Sequence, residues 1–124
     1  MFYKNNIHRK IYEEIVKEKP YKYPSRYLSA IYLLCADKRL WCSVQNAIRN
    51  RNINFEKIDI RKISPFGYSL YKIAQDIYTE GTHITLSDIC DTYLISQKTF
   101  EMIITALRIN RDGYSFVGIQ NLFN

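Results

Sequence analysis

Ser64-Pro65-Phe66-Gly67-Tyr68-Ser69-Leu70-Tyr71-Lys72-Ile73-Ala74-Gln75-Asp76-Ile77-Tyr78-Thr79-Glu80-Gly81 reads as a helix with both ends marked. Ser64 offers a side-chain cap. Pro65 suits the first helical position, where a backbone N–H would have no helical partner. Leu70, Ile73, Ala74 and Ile77 recur at the spacing of one helical face. Gly81 is the expected left-handed stop.

Toward the N-terminus the same period repeats. Asn5 or Asn6 caps a first helix whose apolar stripe is Ile7, Ile11 and Ile15, with Tyr12 and Val16 beside it and Pro20 at its end. Tyr21 to Pro24 reads as an extended linker, because Pro24 biases Tyr23 away from helix. Ser25 caps a second helix through Cys35, and Asp37 a third through about Asn50, carrying Leu40, Trp41, Val44, Ala47 and Ile48. Between Asn50 and Ile63 the period changes. Ile53, Phe55, Ile58 and Ile60 alternate with polar residues, as in a short strand or extended connector.

Toward the C-terminus, Thr85 and Asp88 form a cap and its N3 acid, opening a short fifth helix. Ser96 caps a sixth with Phe100, Ile103, Ile104 and Leu107. Asp112-Gly113, set between Ile109 and Val117, carries a hairpin signal or else a helix end. The expected fold is mainly α: a compact bundle of five to six helices with a short β element near residues 55–60 or 109–119. One domain spans 1–124, with a basic, Tyr-rich helical half at 1–62 and a helical scaffold at 63–124.

Composition agrees. The chain has 124 residues, 47% hydrophobic and 24% charged, with only four Gly and three Pro. That is globular and excludes disordered or collagenous classes. The longest run of low polarity, Tyr27 to Ala36, is shorter than the ~20 residues a membrane helix needs. The start has no signal-peptide core. Cys35, Cys42 and Cys90 are odd in number, lack CxxC spacing and sit among apolar neighbours, so each is expected as a small buried hydrophobe in a reducing cytoplasm.

Residues 84–103 resemble the helix-turn-helix of bacterial DNA-binding regulators. Ile84 to Asp91 match the first helix, Thr92 to Ile95 the turn, and Ser96 to Phe100 the start of the recognition helix. The resemblance implies that Ser96, Gln97, Lys98 and Thr99 face a DNA groove, and that Asp112-Gly113 completes a winged helix. Leu94 stands where that family usually has Gly. The segment 82–109 holds only Lys98 and Arg108 as cations, few for phosphate neutralisation.

A wider pattern, Leu70–Ala74–Tyr78, Leu86–Ile89, Phe100 and Ala106-Leu107-Arg108-Ile109, resembles a functionally unassigned family of short helical proteins. That family comes from low-GC Gram-positive bacteria and their phages. The abundance of Ile, Tyr, Lys and Asn fits AT-rich coding. The resemblance implies a mobile-element origin and brings no catalytic residues.

Charge is uneven. Residues 1–62 hold 14 Lys/Arg against 6 Asp/Glu, and residues 63–124 hold 4 against 6. An anionic partner is therefore drawn to the first half. There Lys22, Tyr23, Arg26, Arg49, Arg51, Lys57, Arg61 and Lys62 interleave cations with aromatics. That pattern suits an acidic protein surface, or nucleic acid or nucleotide.

No catalytic layout is readable. His8 and His83 lack neighbours at metal-ligand spacing, and no GxSxG or Gly-rich phosphate loop occurs. Glu56 to Lys62, the most nuclease-like stretch, lacks a second acidic strand. The expectation is a non-catalytic binding protein without cofactor or metal, free of the membrane and compatible with homo-oligomers. One version is a phage or mobile-element inhibitor of a host defence system, an anti-CRISPR protein for example; the alternative is a helix-turn-helix transcriptional regulator.

Overall fold

Every residue from Tyr27 to Leu34 is buried, so helix α2 (Ser25–Leu34) is wrapped on all sides by the rest of the chain. A helix that is apolar all round can only sit in an interior. The structure, a computed structural model, describes residues 1–17 and 23–122. Around α2 lie α1 (Asn6–Lys17), α3 (Lys38–Gln45), α4 (Pro65–Thr79) and α6 (Gln97–Asp112). The one-turn α5 (Leu86–Ile89) and the C-terminal α7 (Tyr114–Leu122) complete seven α-helices among the described residues. The mainly α fold expected from the sequence is present, with one helix more than the five to six anticipated.

The caps are where the sequence puts them. Asn5 Oδ1 accepts from His8 N at 2.9 Å, Asp37 Oδ2 from Leu40 N at 3.0 Å, and Ser64 Oγ from Gly67 N at 3.0 Å. Thr85 and Asp88 close both halves of a capping box, and Ser96 Oγ accepts from Thr99 N. Three expectations shift. The second helix is preceded by Pro24, which makes no side-chain cap, and Ser25 is its first residue. Glu80, not Gly81, takes the left-handed conformation at the end of α4 (φ 57°). Gly81 is needed for space instead, since a Cβ there would lie 2.6 Å from Asp76 Oδ1. Asp112-Gly113 makes no hairpin. It joins α6 to α7, with Gly113 at φ 61°.

The buried face of α1 is His8, Tyr12 and Val16, while Ile7 is 65% exposed. The stripe is thus one residue round from the Ile7–Ile11–Ile15 row. A histidine can lie in the core because both ring nitrogens are occupied: Nδ1 accepts from Lys4 N at 3.0 Å and Nε2 donates to the Tyr32 carbonyl at 2.7 Å. Tyr3 packs on His8, Tyr12 and Tyr32, and the Tyr32 hydroxyl donates to Phe2 O, so the first residues are fastened to α2. Ser29 Oγ donates to Ala106 O at 2.5 Å, joining α2 to α6.

The β element lies elsewhere than expected. α3 stops at Gln45, and β1 (Ile48–Arg49) pairs antiparallel with β2 (Asn52–Ile53), Ile48 facing Ile53 and Arg49 facing Asn52. Residues 55–57 form a single 3-10 turn rather than a strand. Cys35 is buried, but Cys42 and Cys90 are exposed. Cys42 falls between Leu40 and Val44, which take the inner face of α3, and Cys90 caps the end of α5. Pro20, Tyr21 and Lys22 lie outside the described residues. No helix among the described residues is long and apolar enough to cross a membrane.

Candidate functional site

The β1–β2 hairpin turns on Asn50 and Arg51, both at positive φ (52° and 63°). Two consecutive positive values make a type I′ turn, whose usual second residue is Gly. Arg51 therefore occupies a conformation a non-glycine side chain rarely adopts. Its guanidinium lies over the Tyr23 ring, 5.2 Å from the centre, and Tyr23 in turn packs on Tyr27 at 5.2 Å.

Arg26, in the first turn of α2, covers the Tyr78 ring of α4 at 5.0 Å. The Tyr78 hydroxyl accepts from Ile53 N at 3.2 Å and reaches Asn52 Oδ1 at 3.4 Å, pinning the hairpin to α4. Phe55 packs under Tyr78 and Tyr71, and its carbonyl accepts from the Tyr71 hydroxyl. Burial pushes the Tyr27 phenol up to about 12, with Tyr23 and Tyr78 adding and Arg51 opposing. Tyr23, Arg26 and Arg51 thus converge on Tyr27, between the start of α2, the hairpin and the end of α4.

The remaining basic residues divide. Arg49 and Lys57 are exposed and border a cavity of about 530 Å³ on the hairpin's flank. Arg61 clamps Asp59 with two hydrogen bonds, Nε to Oδ1 at 3.0 Å and a terminal nitrogen to Oδ2 at 2.9 Å. Those bonds, and the Arg61 N–H, hold the Asp59 carboxyl down at about 2. Much of the Arg61 charge is therefore answered locally. Lys62 belongs to a second basic patch with Lys38 and Arg39, around a cavity of about 510 Å³. Lys22 lies outside the described residues. The seven described residues of the set read from the sequence thus fall on more than one surface.

The helix-turn-helix segment has a one-turn first helix. Its turn closes without Gly, because Asp91 accepts from Tyr93 N through Oδ1 and from Leu94 N and Ile95 N through its carbonyl. Gln97 and Lys98 are exposed on the first turn of α6 and Ser96 is the cap. Thr99 is only 4% exposed, with its hydroxyl bonded to Ser96 Oγ, so it presents nothing to a groove. The wing expected at Asp112-Gly113 is helical.

Among the described residues no three His, Cys, Asp or Glu side chains come together as a metal set. Sequence reasoning missed Tyr78, which reads as one more helix-face aromatic, and Gln75. It also missed the hairpin, whose Asn50-Arg51 lacks the glycine that usually gives such a turn away. The chain matches no family model, no curated protein and no solved structure.

Proposed function

We propose that this chain is a non-catalytic binding protein that docks the cation–tyrosine surface of Tyr23, Arg26 and Arg51 onto an acidic protein. The observation that carries this reading is Arg51 held over Tyr23 at positive φ, where glycine would be easier. Strained side chains of this kind concentrate at functional positions. Tyr and Arg anchor interfaces, and the planar guanidinium matches the geometry of a carboxylate. Nucleic acid is disfavoured here because bases need bare ring faces to stack on. Arg51 lies over Tyr23, Arg26 over Tyr78, and Tyr27 is buried.

The test is capture of host proteins by the wild-type chain and by Arg26→Glu/Arg51→Glu, with and without nuclease. The expected result is an acidic partner retained after nuclease and lost in the double variant, whose melting curve stays cooperative. Capture that survives the charge reversal, or that vanishes with nuclease, overturns the reading. The setting we attach to it, a phage or mobile-element inhibitor of host defence, rests on the resemblance to short proteins of Gram-positive bacteria and phages.

A second reading, DNA recognition through α6, is favoured by the exposed Gln97 and Lys98 beside a formed cap. It is the weaker one, because Lys98 is the sole cation on that first turn.

A further inference from the structure

The 530 Å³ cavity beside the hairpin lies within the range of small-molecule sites, about 300–1,000 Å³. It sits between the end of α3, the hairpin, the 3-10 turn and α4. Asn46, Asn52, Asn54 and Gln75 give it four side-chain amides. Gln75 Oε1 is shut off from solvent and has no hydrogen-bond partner among the described residues. A buried carbonyl oxygen is ordinarily paired, and leaving it bare is costly. The terminal torsion of glutamine is soft, so this amide can swing toward a ligand in the cavity.

Two neighbours lack partners as well. Arg49 and Lys57 border the cavity, and neither makes an ion pair among the described residues. Together these groups ask for a ligand with a negative charge at one end and an N–H donor at the other. Glu56, also in the wall, is an acceptor suited to a sugar hydroxyl. Phe55 and Ile53 supply an apolar side for a planar ring.

We infer that this cavity is a binding site for an adenine nucleotide. Arg49 and Lys57 hold the phosphate, Glu56 accepts from the ribose, and Gln75 accepts from the 6-amino group of the base. A side-chain amide pairs donor and acceptor as the adenine edge does, which is why Asn and Gln read that base. The phosphate fits the positive half of the chain. This site and the protein-docking surface use different side chains, so the inference does not rest on that reading.

The probes are adenosine 5′-monophosphate, inosine 5′-monophosphate and 5′-phosphorylated oligoadenylate, titrated calorimetrically into the intact protein. Adenosine monophosphate binds, and the inosine analogue, with an oxygen in place of the amine, binds about tenfold more weakly through loss of one hydrogen bond. Gln75→Leu and Lys57→Ala each weaken the adenine nucleotide by a similar factor. Lys57 is exposed, so its variant tests the site even where Gln75→Leu melts early. Oligoadenylate binding as tightly as the mononucleotide identifies a strand end as the source, and much weaker binding a free nucleotide. Adenosine monophosphate that fails to bind at millimolar concentration, or that binds Lys57→Ala and wild type alike, overturns the inference. Unaltered capture by Arg26→Glu/Arg51→Glu leaves it standing, so the two readings fail separately.

Discussion

His8 Nε2 donates to the carbonyl of Tyr32 across 2.7 Å inside the bundle, and its Nδ1 is filled by the Lys4 N–H. With Nδ1 accepting, the ring has room for only one proton. Burial lowers its pKa from 6.5 to about 4, with nearby Lys4 adding to the fall and the bond to Tyr32 opposing it. The folded form thus keeps the imidazole neutral where the unfolded chain would protonate it. Its contribution is complete above pH 6.5 and is lost as the pH falls from there toward 4. A shift of this size is worth on the order of 3 kcal/mol. Melting temperature against pH is expected to rise between 4 and 6.5 in the wild type, and more shallowly in His8→Gln.

Arg51→Gly separates the turn from the charge. Glycine adopts the type I′ turn without strain, so stability is expected to stay within ~1 kcal/mol of wild type or to gain slightly. Capture of the acidic partner is expected to fall. Denaturant titration and capture on the same samples check both halves. An equal loss of both would show that Arg51 serves the fold.

Gly113→Ala is expected to cost about 1–3 kcal/mol. Its φ of 61° and ψ of −138° suit only glycine, and a Cβ would press into Ser25 Oγ. Gly81→Ala acts by a different route. Its methyl would displace Asp76, which bonds His83 Nδ1 and Ile84 N at 2.6 Å each. Thermal melts of the two variants, alone and combined, are expected to add, because the sites share no partner.

Ser29→Ala removes the hydroxyl that joins α2 to the carbonyl of Ala106, which keeps its helical partner within α6. A loss of about 0.5–1.5 kcal/mol is expected. Leu33→Ala, on the same helix and fully buried, is expected to cost about 2–5 kcal/mol through the cavity it opens. Urea denaturation at neutral pH reads both.

Much of this fold is legible in the chain because caps are local. Asp37, Ser64, Thr85 with Asp88, and Ser96 each bond within three residues, so their spacing alone announces them. What escapes a linear reading depends on distant partners. His8 lies in the core only because Lys4 and Tyr32 occupy its nitrogens, and counting apolar residues therefore chose the Ile7 row. The hairpin escapes because Arg51 replaces the usual glycine, and what holds it, the Tyr78 hydroxyl, comes from 25 residues further on. The cation–tyrosine surface was half visible. Composition marked the basic half, but only packing could divide Arg61 and Lys62 from Arg26 and Arg51.

The central position of α2 separates what can vary in this chain from what cannot. The eight residues Tyr27–Leu34 carry the interior for four surrounding helices, and the hairpin turn, the cavity rim and the second basic patch all lie outside them. On the docking proposal, partner preference is open to change at Arg51, and on the nucleotide proposal ligand preference at Arg49 or Lys57, all of them exposed and outside that helix. A lineage under pressure from a changing partner could then alter its target in single steps, each leaving a folded protein behind.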